Sequence, residues 1–444
     1  MDEPTLTGAM LASGVVLALT FIAIFTEQIH HVERAKCAAA GAVAMILTGY
    51  MTGFYSPTLA LEAVDWNVIF LLAAMMMVIA VMIPTGGFNW MAYRLAELAG
   101  GKVFLTLVLT GTAVTVLSML LDNVTTVVIF GPLLILIARA QGISPIPYLL
   151  AAALLTDTGG IATLVGDPPN IMIGSAAGID FNTFFLRMGP IVLVAWLVIL
   201  LSLKYLFRAE LAHEGARVSR GEAVIKDKRT WMVSLLVLAM MVVLFSLHDA
   251  LGWEVWFVAV LGMTILLLLS PRETIEHVMT RVETGLLMFF IGLFMVIGGV
   301  EHSGLLEHIG GFIMPFVEAD LLLATIVLMW VAAFLSAAID NIPFTAAMIP
   351  IILGMESAGL EVTPLWWGLS MGVGLGGNGT HIGSTANVFI VTISERLARE
   401  QNDPGLAITP ALWFRKGTPA MLVSLAAATV VFVLFFDYFA RPIH

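Results

Sequence analysis

Apolar runs long enough to cross a bilayer follow one another from Gly8–Ile24 to Ala420–Phe436, and this repetition constrains the chain more than anything else in it. A helix needs roughly 20 apolar residues to span the hydrocarbon core. No water is available there to satisfy the backbone, so segments of this length must pair their amides internally, as helices do. Composition agrees, since 60% of the 444 residues are hydrophobic and 11% are charged, against about a quarter charged in soluble domains. The longest polar stretch, Phe207 to Thr230, leaves no soluble domain of useful size. The expected fold is an all-α polytopic membrane protein. The first run follows Met-Asp-Glu-Pro, without a basic n-region or a small-residue cleavage site behind it, so it is expected to be a membrane helix and not a signal peptide.

Full spans are expected at about 8–24, 35–50, 66–82, 148–177, 190–206, 231–247, 255–269, 285–300, 366–393 and 420–436, ten in all. Two further apolar pairs, 103–121 with 124–138 and 321–339 with 342–353, turn at Asp122-Asn123 and Asp340-Asn341 with no polar loop between their arms. Turns of that kind suit re-entrant hairpins whose tips sit inside protein. With the N-terminus outside, 18 of the 20 Lys and Arg fall in cytoplasmic loops, leaving only Arg187 and Arg441 on the other face. That asymmetry predicts an inner-membrane protein of bacterial type with both termini periplasmic. The formal net charge of −11 gives no nucleic-acid surface, and Cys37, the single cysteine, cannot build a disulfide or a thiolate metal cage.

The chain also resembles itself. A shift of 218 positions lays Asp122-Asn123 on Asp340-Asn341 and Val64 on Val282, and a shift of 217 lays Asn170 on Asn387. The last long span of each half carries a polar, glycine-rich interruption, Thr156–Asn170 and Gly374–Asn387. Each half has five net crossings, an odd number, so the second copy is expected to be inverted. The expected division is a first repeat over 1–207, a basic cytoplasmic linker over 208–230 that can touch anionic lipid, and a second repeat over 231–444. Inverted repeats with discontinuous helices mark alternating-access transporters, with the site where the breaks meet. Restarting helices would aim their positive ends into that site, which favours oxygen-rich or anionic solutes.

Asp122, Asp340, Asp157 and Asp167 are ionisable groups in apolar surroundings. They read as proton or cation carriers or, more plainly, as helix caps. Asn123, Thr126, Thr163, Gly166, Asn170, Asn341, Thr345, Asn378, Thr380, Ser384 and Asn387 supply uncharged hydrogen-bonding groups and close backbone approach. They suit a small solute, or act as glue between helices. His381 could shuttle protons, although its repeat partner is Leu164. Met75 to Met77 read as packing, because consecutive methionines point in different directions on a helix. No metal site and no organic cofactor are expected, and no nucleophile–base constellation indicates an enzyme.

At Asp122-Asn-Val-Thr-Thr126, Gly166-Asp-Pro-Pro-Asn170, Asp340-Asn-Ile-Pro-Phe-Thr345 and Gly376–Asn387 the sequence resembles the ion transporter superfamily. Within it, the resemblance is to the group joining the arsenite-efflux permeases (ArsB), the sodium/proton antiporters of the NhaD type and the melanosomal P protein. The resemblance implies a scaffold made of the first three spans of each half, through which a homodimer forms, and a moving unit of hairpins and broken helices. It places the site on Asp122, Asn123, Asn170, Asp340, Asn341 and Asn387. The dicarboxylate branch has Ser-Asn-Thr where this chain has Asp-Asn, and an Asp there would repel a carboxylate at close range. The expected function is secondary transport of a small inorganic solute, foremost proton-coupled efflux of arsenite or antimonite. Sodium/proton antiport and an anion carrier of the P protein type are the alternatives. A soluble arsenite-stimulated ATPase is a candidate partner.

Overall fold

The computed structural model describes residues 6–218, 224–270, 274–338 and 341–443. Among them the chain is helical, with one isolated bridge between Lys102 and Glu214 and no strand. Helices α1 (Gly8–Phe25), α2 (Arg34–Thr52) and α3 (Trp66–Met82) lead to a short amphipathic helix, α4 (Gly87–Leu98). A hairpin follows, α5 (Val103–Ser118) and α6 (Asn123–Gln141), then two half-helices, α7 (Ile146–Gly160) and α8 (Pro168–Ala177), and a long span, α9 (Phe181–Leu206). The same order then recurs. Helices α10 (Lys228–Leu251), α11 (Val255–Leu269) and α12 (Thr284–His302) precede amphipathic α13 (Leu305–Ala319), and a second hairpin is formed by α14 (Leu321–Ala338) and α15 (Asn341–Ser357). Half-helices α16 (Thr363–Gly376) and α17 (Thr385–Gln401) and the span α18 (Pro410–Leu434) complete the chain.

Packing follows this order. Helix α2 lies against α12 and α3 against α11, while each hairpin packs on its own half-helix, α5 on α7 and α14 on α16. Small residues allow the closest approach: a Cβ at Gly292 would sit 2.8 Å from the backbone carbon of Ala38, the kind of contact that holds helices together where lipid offers no hydrophobic drive. Around the breaks the halves meet again, α6 packing on α17 and α8 on α15.

Among the described residues nine helices are long and apolar enough to cross a membrane, where the sequence suggested ten full spans. Seven of those ten are α1, α2, α3, α9, α10, α12 and α18. The spans expected at 148–177 and 366–393 are each split into half-helices, and α11 is a shorter apolar helix; the hairpin arms α6 and α14 complete the nine. Helices α4 and α13 were not foreseen, because amphipathic segments of 12 and 15 residues look like loops beside runs that are apolar all round. Helix α9 begins at Phe181 and runs through Pro190, where a span boundary was expected. A proline removes the N–H that would pair with the carbonyl four residues earlier; here the Tyr438 hydroxyl donates to the Leu186 carbonyl instead, at 3.2 Å.

Candidate functional site

Four helix starts meet inside the bundle, those of α6 and α15 in the two hairpins and those of α8 and α17 after the gaps in the broken helices. A cavity of about 40 Å³ is lined by residues from all four starts: Asp122, Asn123 and Val124 at α6; Asp167 and Pro168 at α8; Asn341 and Ile342 at α15; Ser384, Thr385 and Ala386 at α17. Arg34 of α2 and Leu286 of α12 close it. Helix starts carry roughly half a positive charge each, so the chamber gathers four such ends around two described carboxylates.

Each break is built from the same parts. In the first, Asn170 Nδ2 donates to the carbonyls of Gly160 (2.9 Å) and Thr163 (3.0 Å), and the Thr163 hydroxyl donates to the Met119 carbonyl. In the second, Asn387 Nδ2 donates to Gly377 (2.9 Å) and Thr380 (3.1 Å), and the Thr380 hydroxyl donates to the Ala337 carbonyl at 2.5 Å. Ser118 reaches the Thr156 carbonyl and Ser336 the Val373 carbonyl, both at 2.7 Å. These bonds satisfy carbonyls that unwinding would otherwise leave bare in an apolar interior, where an unpaired group costs several kcal/mol. Gly166 is required by space: a Cβ there would lie 2.6 Å from the Gly160 carbonyl oxygen and 2.7 Å from that of Ser118.

Asp122 caps α6, its carboxylate accepting from the Thr125 amide at 2.8 Å and the Thr125 hydroxyl at 2.5 Å. Asn123 Oδ1 accepts from the Ser118 hydroxyl at 2.6 Å. Asp167 precedes α8 and accepts from Asn341 Nδ2 at 3.2 Å, a bond between the two halves across the chamber. Ser384 caps α17 through the Asn387 amide.

Of the residues singled out in the sequence, the structure brings Asp122, Asn123, Asp167, Asn341 and Ser384 together on the chamber wall. Thr163, Gly166, Asn170, Thr380 and Asn387 brace the breaks just behind it. Asn378 lies deeper, bonded to the Leu154 carbonyl (3.1 Å) and the Thr158 hydroxyl (3.3 Å) of α7. Asp157, 2% exposed, faces Gly377, whose Cβ would be 3.4 Å from its carboxylate. The hydroxyls of Thr126 and Thr345 return to carbonyls of their own helices, Asp122 and Asn341. His381 is half-buried beyond the chamber, and its Nδ1 is without a hydrogen-bond partner among the described residues. Asp340 lies outside the described residues.

Arg34 went unnoticed in the sequence, where it counts as a loop charge. Its Nη1 donates to the Thr385 hydroxyl at 3.2 Å, and its guanidinium lies 5.3 Å from the centre of the Phe289 ring. Glu283, at the start of α12, stands close by. Its carboxyl holds a proton more tightly than usual, first because protein displaces water around it even though part of the residue reaches the surface, then because of Asp122, with Arg34 opposing.

Known proteins resemble this chain. A family model described as "Citrate transporter" (CitMHS) matches residues 18–372. A 46 kDa membrane protein of Mycobacterium leprae is 31% identical over 423 residues, covering 94% of this chain and 96% of its own. An uncharacterized transporter of Mycobacterium tuberculosis is 31% identical over 429 residues, covering 94% and 97%. The human P protein is 30% identical over 498 residues, which cover 92% of this chain and 58% of the P protein. The YdaH transporter of Alcanivorax borkumensis, whose crystal structure revealed an unusual topology, superposes with a TM-score of 0.60 over 86% of this chain and 88% of its own at 15% identity, a likeness of fold. The chain is therefore a polytopic membrane transporter, and it belongs to the CitMHS family of the ion transporter superfamily.

Proposed function

We propose that this transporter exports trivalent arsenic or antimony as the neutral hydroxide across a bacterial inner membrane, in exchange for protons. Two inverted halves, 1–207 and 231–444, would alternate access to one chamber, with both termini outside. The observation that carries this reading is the chamber itself. A water needs about 10–15 Å³ of such volume, so 40 Å³ suits a solute the size of about three waters. Arsenous acid is of that class: a small polyol that Asn123, Asn341 and Ser384 can hydrogen-bond, while Asp122 or Asp167 exchanges the proton. A single cysteine cannot form the three-sulfur trap that would hold arsenic too tightly for release.

Citrate, suggested by the family description, is several times bulkier and would face the Asp122 and Asp167 carboxylates at contact range, where like charges repel strongly. The same two carboxylates favour a second reading, sodium/proton antiport, against which stand four helix starts and Arg34. Everted vesicles energised by respiration should take up radiolabelled arsenite, and arsenite should dissipate their pH gradient. Sodium producing that response with arsenite inert would replace the first reading with the second. D122N and D167N should abolish coupled flux in protein that still elutes as a folded species, since Asn also caps helices well; normal flux in both would reduce these residues to caps.

A further inference from the structure

Arg34 differs from every other polar group on the chamber wall. It is the one Lys or Arg among the described residues lining the cavity, and it comes from α2, not from a hairpin or a broken helix. Its helix is pressed against α12 by the Ala38–Gly292 contact, and its guanidinium rests near Phe289 of α12. Its hydrogen bond to Thr385 crosses from this paired framework to the first residue of α17.

In the helix order of the second half, the place of α2 is taken by α11, which starts at Val255 after Glu254. Those two residues line a separate cavity of about 360 Å³ together with Asn67, Asp180 and Asp249, and no Lys or Arg is among its described lining residues. The two corresponding positions therefore differ in charge: a fixed cation at one, carboxylates at the other.

We propose that Arg34 is a cargo-contacting, specificity-determining residue that makes the chamber sided. An oxygen-bearing solute gains a guanidinium ligand while α17 stands against α2, and loses it once the hairpins and broken helices move away. The inference rests on the carrier reading above. Guanidinium is always charged, donates from a planar fork and accepts nothing, so it selects hydroxyl or oxyanion oxygens and opposes a bare cation.

The test is arsenite transport by R34Q, R34K, T385V and R34Q/T385V in everted and right-side-out vesicles, with gel-filtration profiles confirming folded protein. Loss of one hydrogen bond to a charged donor predicts a roughly 10-fold or larger rise in KM for R34Q. The rise should appear only from the Arg34 face, with the maximum rate little changed. R34K, which keeps the charge but not the fork, should fall between, and it carries the test if R34Q does not fold. T385V should raise KM less than R34Q does. An equal KM rise from both faces, or a T385V defect matching R34Q with no further loss in the double variant, would overturn the proposal and leave Arg34 a latch. Wild-type vesicles inert to arsenite would refute the proposed cargo instead. Arg34 is then judged by sodium-driven dissipation of the pH gradient, where R34Q should raise sodium affinity from the Arg34 face, and unchanged affinity would overturn its role.

Discussion

The paired asparagines behind the chamber allow a differential test, because they share two bonds and differ in a third. Asn170 and Asn387 each donate through Nδ2 to two carbonyls of the adjacent break. Asn170 Oδ1 also accepts from the Ser370 hydroxyl at 2.9 Å, whereas Asn387 Oδ1 accepts from no group among the described residues although the residue is fully buried. Truncation to alanine loses the two shared bonds at either site, about 1–2 kcal/mol at the modest strength such bonds show in membranes. N170A additionally strands a buried serine hydroxyl, adding about 1 kcal/mol or more. N387A strands no third partner and removes an acceptor that the protein itself does not use. N170A should therefore be the less stable variant by about 1–2 kcal/mol, and S370A should lose most of its effect in the N170A background. Reversible unfolding by dodecyl sulfate in mixed micelles, followed by tryptophan fluorescence, measures both differences. Equal destabilisation of the two variants, or a larger loss for N387A, would refute the weight given to the Ser370 bond, and little loss in either would refute the shared bonds as braces of the breaks.

The remaining expectations rest on other contacts. G166A should fail to give a monodisperse protein, since its Cβ would meet two backbone oxygens that cannot move aside, whereas G354A, with nothing within 4 Å of its Cβ, should be neutral or stabilising by up to ~1 kcal/mol on gel filtration after heating. Y438F should cost about 1 kcal/mol by baring the Leu186 carbonyl below Pro190, readable as a lower midpoint in the same micelle titration; an unchanged midpoint would show that carbonyl to be satisfied otherwise. Glu283 binds its proton more tightly in the folded protein than in the unfolded chain, so its contribution to stability is present at low pH and fades as pH rises from the ordinary carboxylate range through its raised value. E283Q should flatten that part of the stability–pH curve, and an unaltered slope would count against the shift.

Much of the fold is legible in the sequence because a bilayer dictates it. Apolar runs of the required length give α1, α2, α3 and α12 to within about two residues, and the existence but not the starts of α10 and α18, which begin at Lys228 and Pro410 ahead of their apolar runs; polar glycine-rich runs inside such spans give the two breaks. What is lost is set by contacts distant in sequence. Proline alone cannot say whether a helix stops or continues; at Pro190 the carbonyl it frees is met by Tyr438, far along the chain. The half-apolar patterns of α4 and α13 gain meaning only once other helices are placed beside them. At the site, the motif residues Asp122, Asn123, Asp167, Asn341 and Ser384 reach the chamber, but residues of the same motifs, Asn170, Thr163, Asn387 and Thr380, turn towards the bared carbonyls. Pattern does not encode that choice of direction. Arg34 is missed for the opposite reason: it belongs to no motif and abuts an apolar run, so the charge rule assigns it to a loop while helix α2 carries it to the chamber wall.

Hydrogen bonds between the halves bear on how such a chamber can change its access. Asp167 accepts from Asn341, Asn170 from Ser370, and Asn378 donates to Leu154 and Thr158. Helix α6 packs on α17 and α8 on α15. Separating the halves at this seam would break four buried bonds, each worth about 1 kcal/mol when made and more when left unmade. Moving both hairpins and both broken helices as one body keeps every one of these bonds. On the carrier reading, the rearrangement therefore belongs at the boundary of that body with the paired helices α2, α3, α11 and α12, where the bond from Arg34 to Thr385 lies directly in its path.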